Sequence, residues 1–220
     1  MKIIKLLGGA VIFAAAIFGV SCNTQNQANS NQNAGMSHND QKGPMNRDGM
    51  DYNQMDSSTM QSSPKAAAAP YDLQFLDTMI VHHQGAIVMA KGIDGKAQHP
   101  ELNTLAKNII ADQEEEITQM KQWRDDWFKD KASAINMAMA GMNDSMKGRD
   151  MKKLGSLTGI DLDLEFMKQM IPHHQGAVVM ASEALQRSQK NEIKTLANGI
   201  IKAQNAEIKL MQDWQAAWKK

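Results

Sequence analysis

The amino-acid sequence predicts an all-α protein, a four-helix bundle formed by two repeated helical hairpins behind a disordered N-terminal tether. Three observations predict it: apolar residues recur at helical spacing after residue 70, this pattern occurs twice, and no alternating strand pattern is present. The expected segments are a lipoprotein-type signal peptide at 1–22, the tether at 23–70, the first hairpin at 71–130, a methionine-rich linker at 131–161 and the second hairpin at 162–220.

The first 22 residues have the features of a bacterial lipoprotein signal. Lys2 and Lys5 give a basic start, an apolar run follows from Leu6 to Val20, and Cys22 comes shortly after it. The run is too short for a typical transmembrane helix, and Cys22 stands where such a signal ends. We therefore predict export to the periplasm-facing or extracellular side of the cell envelope, with a lipid anchor at Cys22. The alternative is cleavage at a neighbouring residue without lipidation.

The tether is rich in Asn, Gln, Ser, Gly and Met and cannot bury enough apolar surface to offset the entropy of ordering it. Methionine has no packing role in such a segment, so its thioethers are predicted to be weak ligands for a soft cation. The candidates are four methionines that recur every five residues, Met45, Met50, Met55 and Met60, and Met36 precedes them. The linker repeats the theme with Met137, Met139, Met142 and Met146. Low-complexity drift is the alternative explanation.

The two hairpins align without gaps at an offset of 91 residues. An ungapped match of this length indicates a duplicated structural unit. The matched residues near the start of each hairpin are Asp72 with Asp163, Met79 with Met170, His82-His83 with His173-His174, and Met89 with Met180. Further along, Gln113, Glu116 and Trp123 match Gln204, Glu207 and Trp214.

Each hairpin contains two helical patterns. In the first, the residues that share a face at steps of three and four are Phe75, Met79, His83, Ala86 and Ala90. Gly92 and Gly95 are expected to end this helix, and Pro100 suits the first turn of the next. Four such helices bury their apolar faces most simply as a bundle with a pseudo-two-fold axis. The linker is expected to form a crossover loop whose first part extends a helix.

The adjacent histidines are the strongest candidates for chemistry. Because neighbouring helical residues point roughly 100 degrees apart, His83 is expected at the centre of the buried face and His82 at its flank. Imidazole beside thioether suits a soft ion, above all Cu(I), and imidazole also suits Cu(II) and Zn. The predicted metal ligands are His82, His83, Met79, Met89, His173, His174, Met170 and Met180. The alternative is that hydrogen-bonded core histidines and packing methionines occupy this face.

Polar residues interrupt the apolar stripe of the second helix in each hairpin. Glu116 with Gln113, and Glu207 with Gln204, lie where apolar side chains are expected. A buried carboxylate needs a partner, and the imidazoles of His83 and His174 are the expected ones. Such a pair either orients a metal-binding ring or serves as a structural polar clamp.

Two further positions are less specific. Asp72 and Asp163 are expected to cap or neutralise helix starts, with weak metal ligation as the second option. Pro172 stands where the first hairpin has Val81, and it is expected to bend the helix and re-aim His173.

Charge and motif content narrow the function. The 24 basic and 24 acidic residues cancel, which argues against a nucleic-acid partner. No nucleophile–base constellation is present, so hydrolytic catalysis has no support.

The composite motif Asp-x-x-Phe-x-x-x-Met-x-x-His-His-Gln-Gly-Ala, followed by Gln-x-x-Glu-Ile, resembles the bacterial family of domain of unknown function 305 in both hairpins. The resemblance implies a ferritin-like four-helix bundle, a secreted or envelope location and, for some relatives, copper handling. Ferritin-like di-iron centres use Glu-x-x-His motifs, and this chain has none.

The leading hypothesis is therefore an envelope protein that binds, sequesters or chaperones copper, mainly Cu(I), and is not an enzyme. Its partners would be the metal ion and, through Cys22, a membrane; no protein partner is identified. The alternatives are a non-metal structural or protein-interaction bundle and, less well supported, a di-metal oxidase.

Overall fold

The computed structural model of the protein describes residues 61–219. In chain order the helices are α1 (Tyr71–Ile93), α2 (Pro100–Phe128), α3 (Met142–Met146), α4 (Met151–Ser156), α5 (Gly159–Arg187) and α6 (Asn191–Trp218). No β-strand occurs in residues 61–219, which confirms the all-α helical bundle. In the same residues no helix is both long and apolar enough to cross a membrane.

Some predictions fall on residues outside this part of the chain. They concern the signal peptide at 1–22, the anchor at Cys22, most of the tether, and the methionines Met45, Met50, Met55 and Met60. These stay predictions.

The helix boundaries follow from local chemistry. Pro100 occupies the first turn of α2, as the sequence predicts, because its missing N–H is not needed there. At the other end, the guanidinium of Arg124 donates to the carbonyls of Phe128 and Lys131, at 2.6 and 2.7 Å. The first bond satisfies the last carbonyl of α2, and the second holds the chain just beyond it. Because α2 ends at Phe128, the predicted extension of a helix into the linker is wrong. The second hairpin begins earlier than predicted, because α5 starts at Gly159.

The end of the tether, residues 61–70, is ordered, which corrects the prediction of disorder for this part. Ser63 N donates to Ile135 O at 2.8 Å, and Met137 N donates to Ser62 Oγ at 3.0 Å. Ala66, in the short 3-10 turn Ala66–Ala68, is buried. The composition of this stretch did not reveal the order, because its partners are backbone groups of the linker.

The core consists of two apolar clusters. The first contains Met79 of α1 and Met180 of α5, and the second contains Met89 of α1 and Met170 of α5. Each cluster thus combines a methionine that precedes a His-His pair with one that follows the other pair. This exchange is what a pseudo-two-fold axis through the middle of the bundle produces.

The linker crosses the bundle through a close backbone contact between α3 and α5. Gly141, with φ +86°, and Gly176 approach so closely that a Cβ on either would overlap backbone atoms of the other. A Cβ on Gly176 would also overlap the Cβ of Ser145. The linker methionines Met139, Met142 and Met146 are buried in the first cluster, and Met137 packs against it half-buried. Packing therefore accounts for their presence without a metal.

This contact predicts opposite effects for two helical glycines. Gly176→Ala forces α3 away from α5 and should lower the free energy of unfolding by about 1–3 kcal/mol. Gly199 of α6 has no neighbour within 4 Å of an added Cβ, so Gly199→Ala should raise it by about 0.5–1 kcal/mol. Urea unfolding followed by circular dichroism measures both. Equal effects of the two substitutions would contradict the close contact.

Candidate metal centre

Four buried histidines form a layer at the middle of the bundle. His82 and His83 of α1, and His173 and His174 of α5, are each at most 1 % exposed. The rings of His82 and His173 lie against each other at a centroid distance of 3.8 Å, with their planes tilted by 39°. We call these four residues the histidine layer. Imidazoles buried this completely lack water as a hydrogen-bond partner, so each ring nitrogen needs a partner from the protein or a ligand.

The His82 ring is held by the opposite helix. Its Nε2 lies 3.1 Å from the carbonyl oxygen of His173. Because a carbonyl only accepts, Nε2 must carry the hydrogen, and the other nitrogen of the neutral ring then has a free lone pair. That nitrogen, Nδ1, is buried and has no hydrogen-bond partner. A buried lone pair of this kind is a ready ligand for a metal ion.

His83 is oriented in the same way by a carboxylate. Its Nε2 is 2.7 Å from Glu116 Oε2, and its Nδ1 has no partner. In the second hairpin, His174 Nε2 lies 2.7 Å from Glu207 Oε2. The angles fit a hydrogen bond between His83 and Glu116 but not between His174 and Glu207. These are the pairings that the sequence predicts. The carboxylates lie at the rim, since the side chains of Glu116 and Glu207 are 22 % and 16 % exposed.

Neither ring nitrogen of His173 has a hydrogen-bond partner. Burial lowers the pKa of His173 well below 6.5, and the neighbouring His82 and His174 lower it further. Burial likewise lowers the pKa of His82, with His83 and His174 as the next causes. Both imidazoles are therefore neutral at physiological pH, which is the form that binds metals.

The thioethers predicted as ligands are also buried. Met79, Met89, Met170 and Met180 are each 0 % exposed and flank the histidine layer in the two apolar clusters. Gln113 and Gln204 are 3 % exposed, and each keeps an unpartnered Oε1. In residues 61–219, no three His, Cys, Asp or Glu side chains converge as a metal site.

Asp163 has a structural role that the sequence did not reveal. It is 0 % exposed and lies in the second turn of α5, so the predicted helix-start role is wrong for this residue. It accepts hydrogen bonds from the backbone N–H groups of Gln98 and His99 at 3.0 Å and from His99 Nδ1 at 2.7 Å. The His99 ring stacks on Trp218 at 3.7 Å. Asp163 thus fixes the α1–α2 loop against the second hairpin.

Asp72, its counterpart, lies in the first turn of α1, as predicted, and is half-buried. Pro172 lies inside α5, which continues through it as one helix. Pro172 therefore does not break the helix, and the bend that would re-aim His173 stays a prediction.

The glycines of the two motifs have a packing role that the sequence did not reveal. Gly85 and Gly176 each lie inside a long helix, where glycine is unfavourable by about 1 kcal/mol relative to alanine. An added Cβ at Gly85 would lie 3.1 Å from Arg149 Nη1 and 3.2 Å from His173 Nε2. Their repetition at the 91-residue offset was the available signal. Both positions let other segments approach the histidine layer.

These features define a duplicated helical bundle with imidazole and thioether groups buried at its centre. The chain belongs to the family described as Domain of unknown function (DUF305), whose model matches residues 21–124 and 72–215. This membership confirms the resemblance seen in the sequence.

Solved structures of one relative, the protein CopM, are copper-bound. The protein CopM in its Cu(I)-bound form is 42% identical, with a TM-score of 0.58 over 68% of this chain and 98% of that chain. The Cu(II)-bound form is 43% identical, with a TM-score of 0.59 over 67% of this chain and 97% of that one.

Two further relatives add no activity. A DUF305 protein of Streptomyces coelicolor, described as secreted, is 31% identical, with a TM-score of 0.61 over 71% of this chain and 96% of that chain. The uncharacterized protein L153 of Acanthamoeba polyphaga mimivirus is 40% identical over 55 residues, which are 25% of this chain. The match spans only 36% of the length of that relative.

The buried Asp163 predicts a large difference between the two repeated aspartates. Asp163→Ala leaves three donors without their acceptor and should lower the free energy of unfolding by about 2–4 kcal/mol. Asp72→Ala removes a favourable charge from a helix start and should cost less than about 1 kcal/mol. Urea denaturation compares the two variants, and a similar loss in both would contradict the anchoring role of Asp163.

The lowered pKa values of His82 and His173 predict a pH-dependent stability for the metal-free protein. Below pH 6.5 the unfolded chain takes up protons at these residues before the folded protein does, so the free energy of unfolding falls as pH falls. At pH 5 it should be about 2–4 kcal/mol lower than at pH 7. Replacing both residues with glutamine should flatten this part of the profile. An unchanged slope would assign it to other groups.

Proposed function

We propose that this protein binds copper in the cell envelope and sequesters or chaperones it. The observation that carries the proposal is the arrangement of His82 and His83. In both, Nε2 is held by an acceptor, and Nδ1 is left buried without a hydrogen-bond partner. This is the usual arrangement of a metal-binding histidine, whose second nitrogen donates to a carbonyl or carboxylate.

The chemistry of the donors supports a soft ion. Neutral imidazoles and fully buried thioethers are ligands for Cu(I), while imidazoles with Glu or Asp also suit Cu(II). The Glu116 and Glu207 carboxylates would act from outside, by orienting the rings and compensating the charge of the ion. The copper-bound forms of CopM, at 42–43% identity, support the same ion.

Location in the envelope and attachment through Cys22 rest on the basic and apolar start of the chain. The methionines of the tether would add weaker sites outside the bundle. A ferroxidase has little support, because the carboxylates lie on separate helices beside histidines rather than in paired Glu-x-x-His motifs.

A second candidate is a bundle without metal, whose histidines only specify packing. The contact between the His82 and His173 rings favours it, since the two rings touch directly and need no ion between them. On this hypothesis the unpartnered nitrogens are a cost that closer packing offsets.

A Cu(I) titration against a competing chelator tests the proposal. The parent should bind tightly, and a variant with His82, His83, His173 and His174 changed to alanine should lose the tight site while circular dichroism shows it folded. The matched control changes Met45, Met50, Met55 and Met60 to leucine and should keep the tight site.

The outcomes separate the candidates. Tight binding that survives in the histidine variant and disappears in the methionine variant would move the main site to the tether. Only nonspecific binding by the parent would reject copper as the ligand and leave the bundle without metal as the better explanation.

A further inference from the structure

Arg149 of the linker reaches the histidine layer. Its Nη1 and the His173 Nε2 both lie within 3.2 Å of the point that a Cβ on Gly85 would occupy. The guanidinium and the imidazole thus share the gap left by a single glycine side chain. Gly85 belongs to the His-His-Gln-Gly motif of the first hairpin, so the motif itself makes room for this arginine.

The approach of Arg149 is fixed from both sides. On its C-terminal side, Asp150 N donates to Gln169 Oε1 at 3.0 Å, and Gln169 Nε2 donates back to Asp150 O at 3.2 Å. On its N-terminal side, the contact between Gly141 and Gly176 holds α3 against α5. Gln169 is 3 % exposed. The two anchors place the backbone of Arg149 at a defined position over α1 and α5.

The charge of Arg149 lies beside the imidazoles that would bind the ion. Its Nη1 is separated from His173 Nε2 only by the gap of one absent glycine side chain, and the His173 ring lies against that of His82. A guanidinium this close repels a metal cation on these rings, because both charges are positive.

We propose that Arg149 is a built-in competitor for the metal ion: it occupies the space beside His82 and His173 in the metal-free protein and is displaced when the ion binds. This inference rests on the proposed metal binding. In this scheme Arg149 lowers the affinity of the protein for the ion, and the lower affinity permits release of the ion to an acceptor. A carrier needs this property, whereas the neutral imidazole and thioether groups alone would hold a soft ion tightly.

The test compares Ag(I) affinity, as a stable probe for a soft monovalent ion, in full-length protein kept in detergent. In every variant Met36, Met45, Met50, Met55 and Met60 are leucine, so the tether does not contribute. Arg149→Gln should bind Ag(I) about tenfold more tightly, or more, and Arg149→Lys should stay within about threefold of the parent. Lys152→Gln removes an equal charge from an exposed position of the same linker and should leave the affinity unchanged.

A second measurement does not depend on affinity. Ag(I) should speed amide hydrogen exchange in residues 141–156 of the parent, because the ion displaces Arg149 and loosens the linker. In Arg149→Gln the exchange in these residues should respond little to Ag(I).

The outcomes distinguish the possible failures. Equal shifts in Arg149→Gln and Arg149→Lys would show that the guanidinium acts by packing and would overturn the competition. An unchanged or weaker affinity in Arg149→Gln, with a parent that binds Ag(I), would also overturn it while leaving the proposed function standing. A parent that does not bind Ag(I) would remove both.

Discussion

The contact between α1 and α5 at the histidine layer is the constraint on which the rest of the structure depends. The hydrogen bond from His82 to the carbonyl of His173 holds the two helices together at their centres. The four imidazoles of the histidine layer also separate the apolar core into two clusters, because they occupy the place where a continuous core would run. Each buried polar group without a partner costs about 1–3 kcal/mol. The packing of methionine in both clusters has to offset that cost, and its flexible side chain suits the task.

The duplication gives the bundle a pseudo-two-fold symmetry, and a single connection breaks it. One linker joins the hairpins, so it meets the two motif glycines differently: Ser145 and Gly141 pack at Gly176, whereas Arg149 packs at Gly85. The ends of the bundle differ as well. His99 stacks on Trp218 and bonds to Asp163, whereas at the equivalent place Lys190 lies over the Trp127 ring at 4.5 Å. The two halves of the histidine layer are therefore chemically distinct.

Periodicity and repetition were sufficient to predict the helices, the hairpins and the pairing of His83 with Glu116, because all of these depend on spacing along one helix or on its repeat. The contacts that the linker makes could not be predicted from the sequence. Arg149 and Ser145 carry no periodic signal, and their positions depend on how a crossover segment lies on finished helices. Asp163 illustrates the same limit: the repeat suggested a role shared with Asp72, but its partner His99 has lysine as its counterpart.

The charges around the histidine layer bear on which ion this arrangement suits. The imidazoles of His82 and His173 are neutral, the carboxylates of Glu116 and Glu207 lie at the rim, and Arg149 adds a positive charge on the linker side. Coulombic repulsion by Arg149 doubles when the charge of the ion doubles. The penalty therefore falls twice as heavily on a divalent ion as on Cu(I), in the direction already set by the thioethers. Under the proposed function, selectivity for a monovalent ion and ease of release would come from the same arginine.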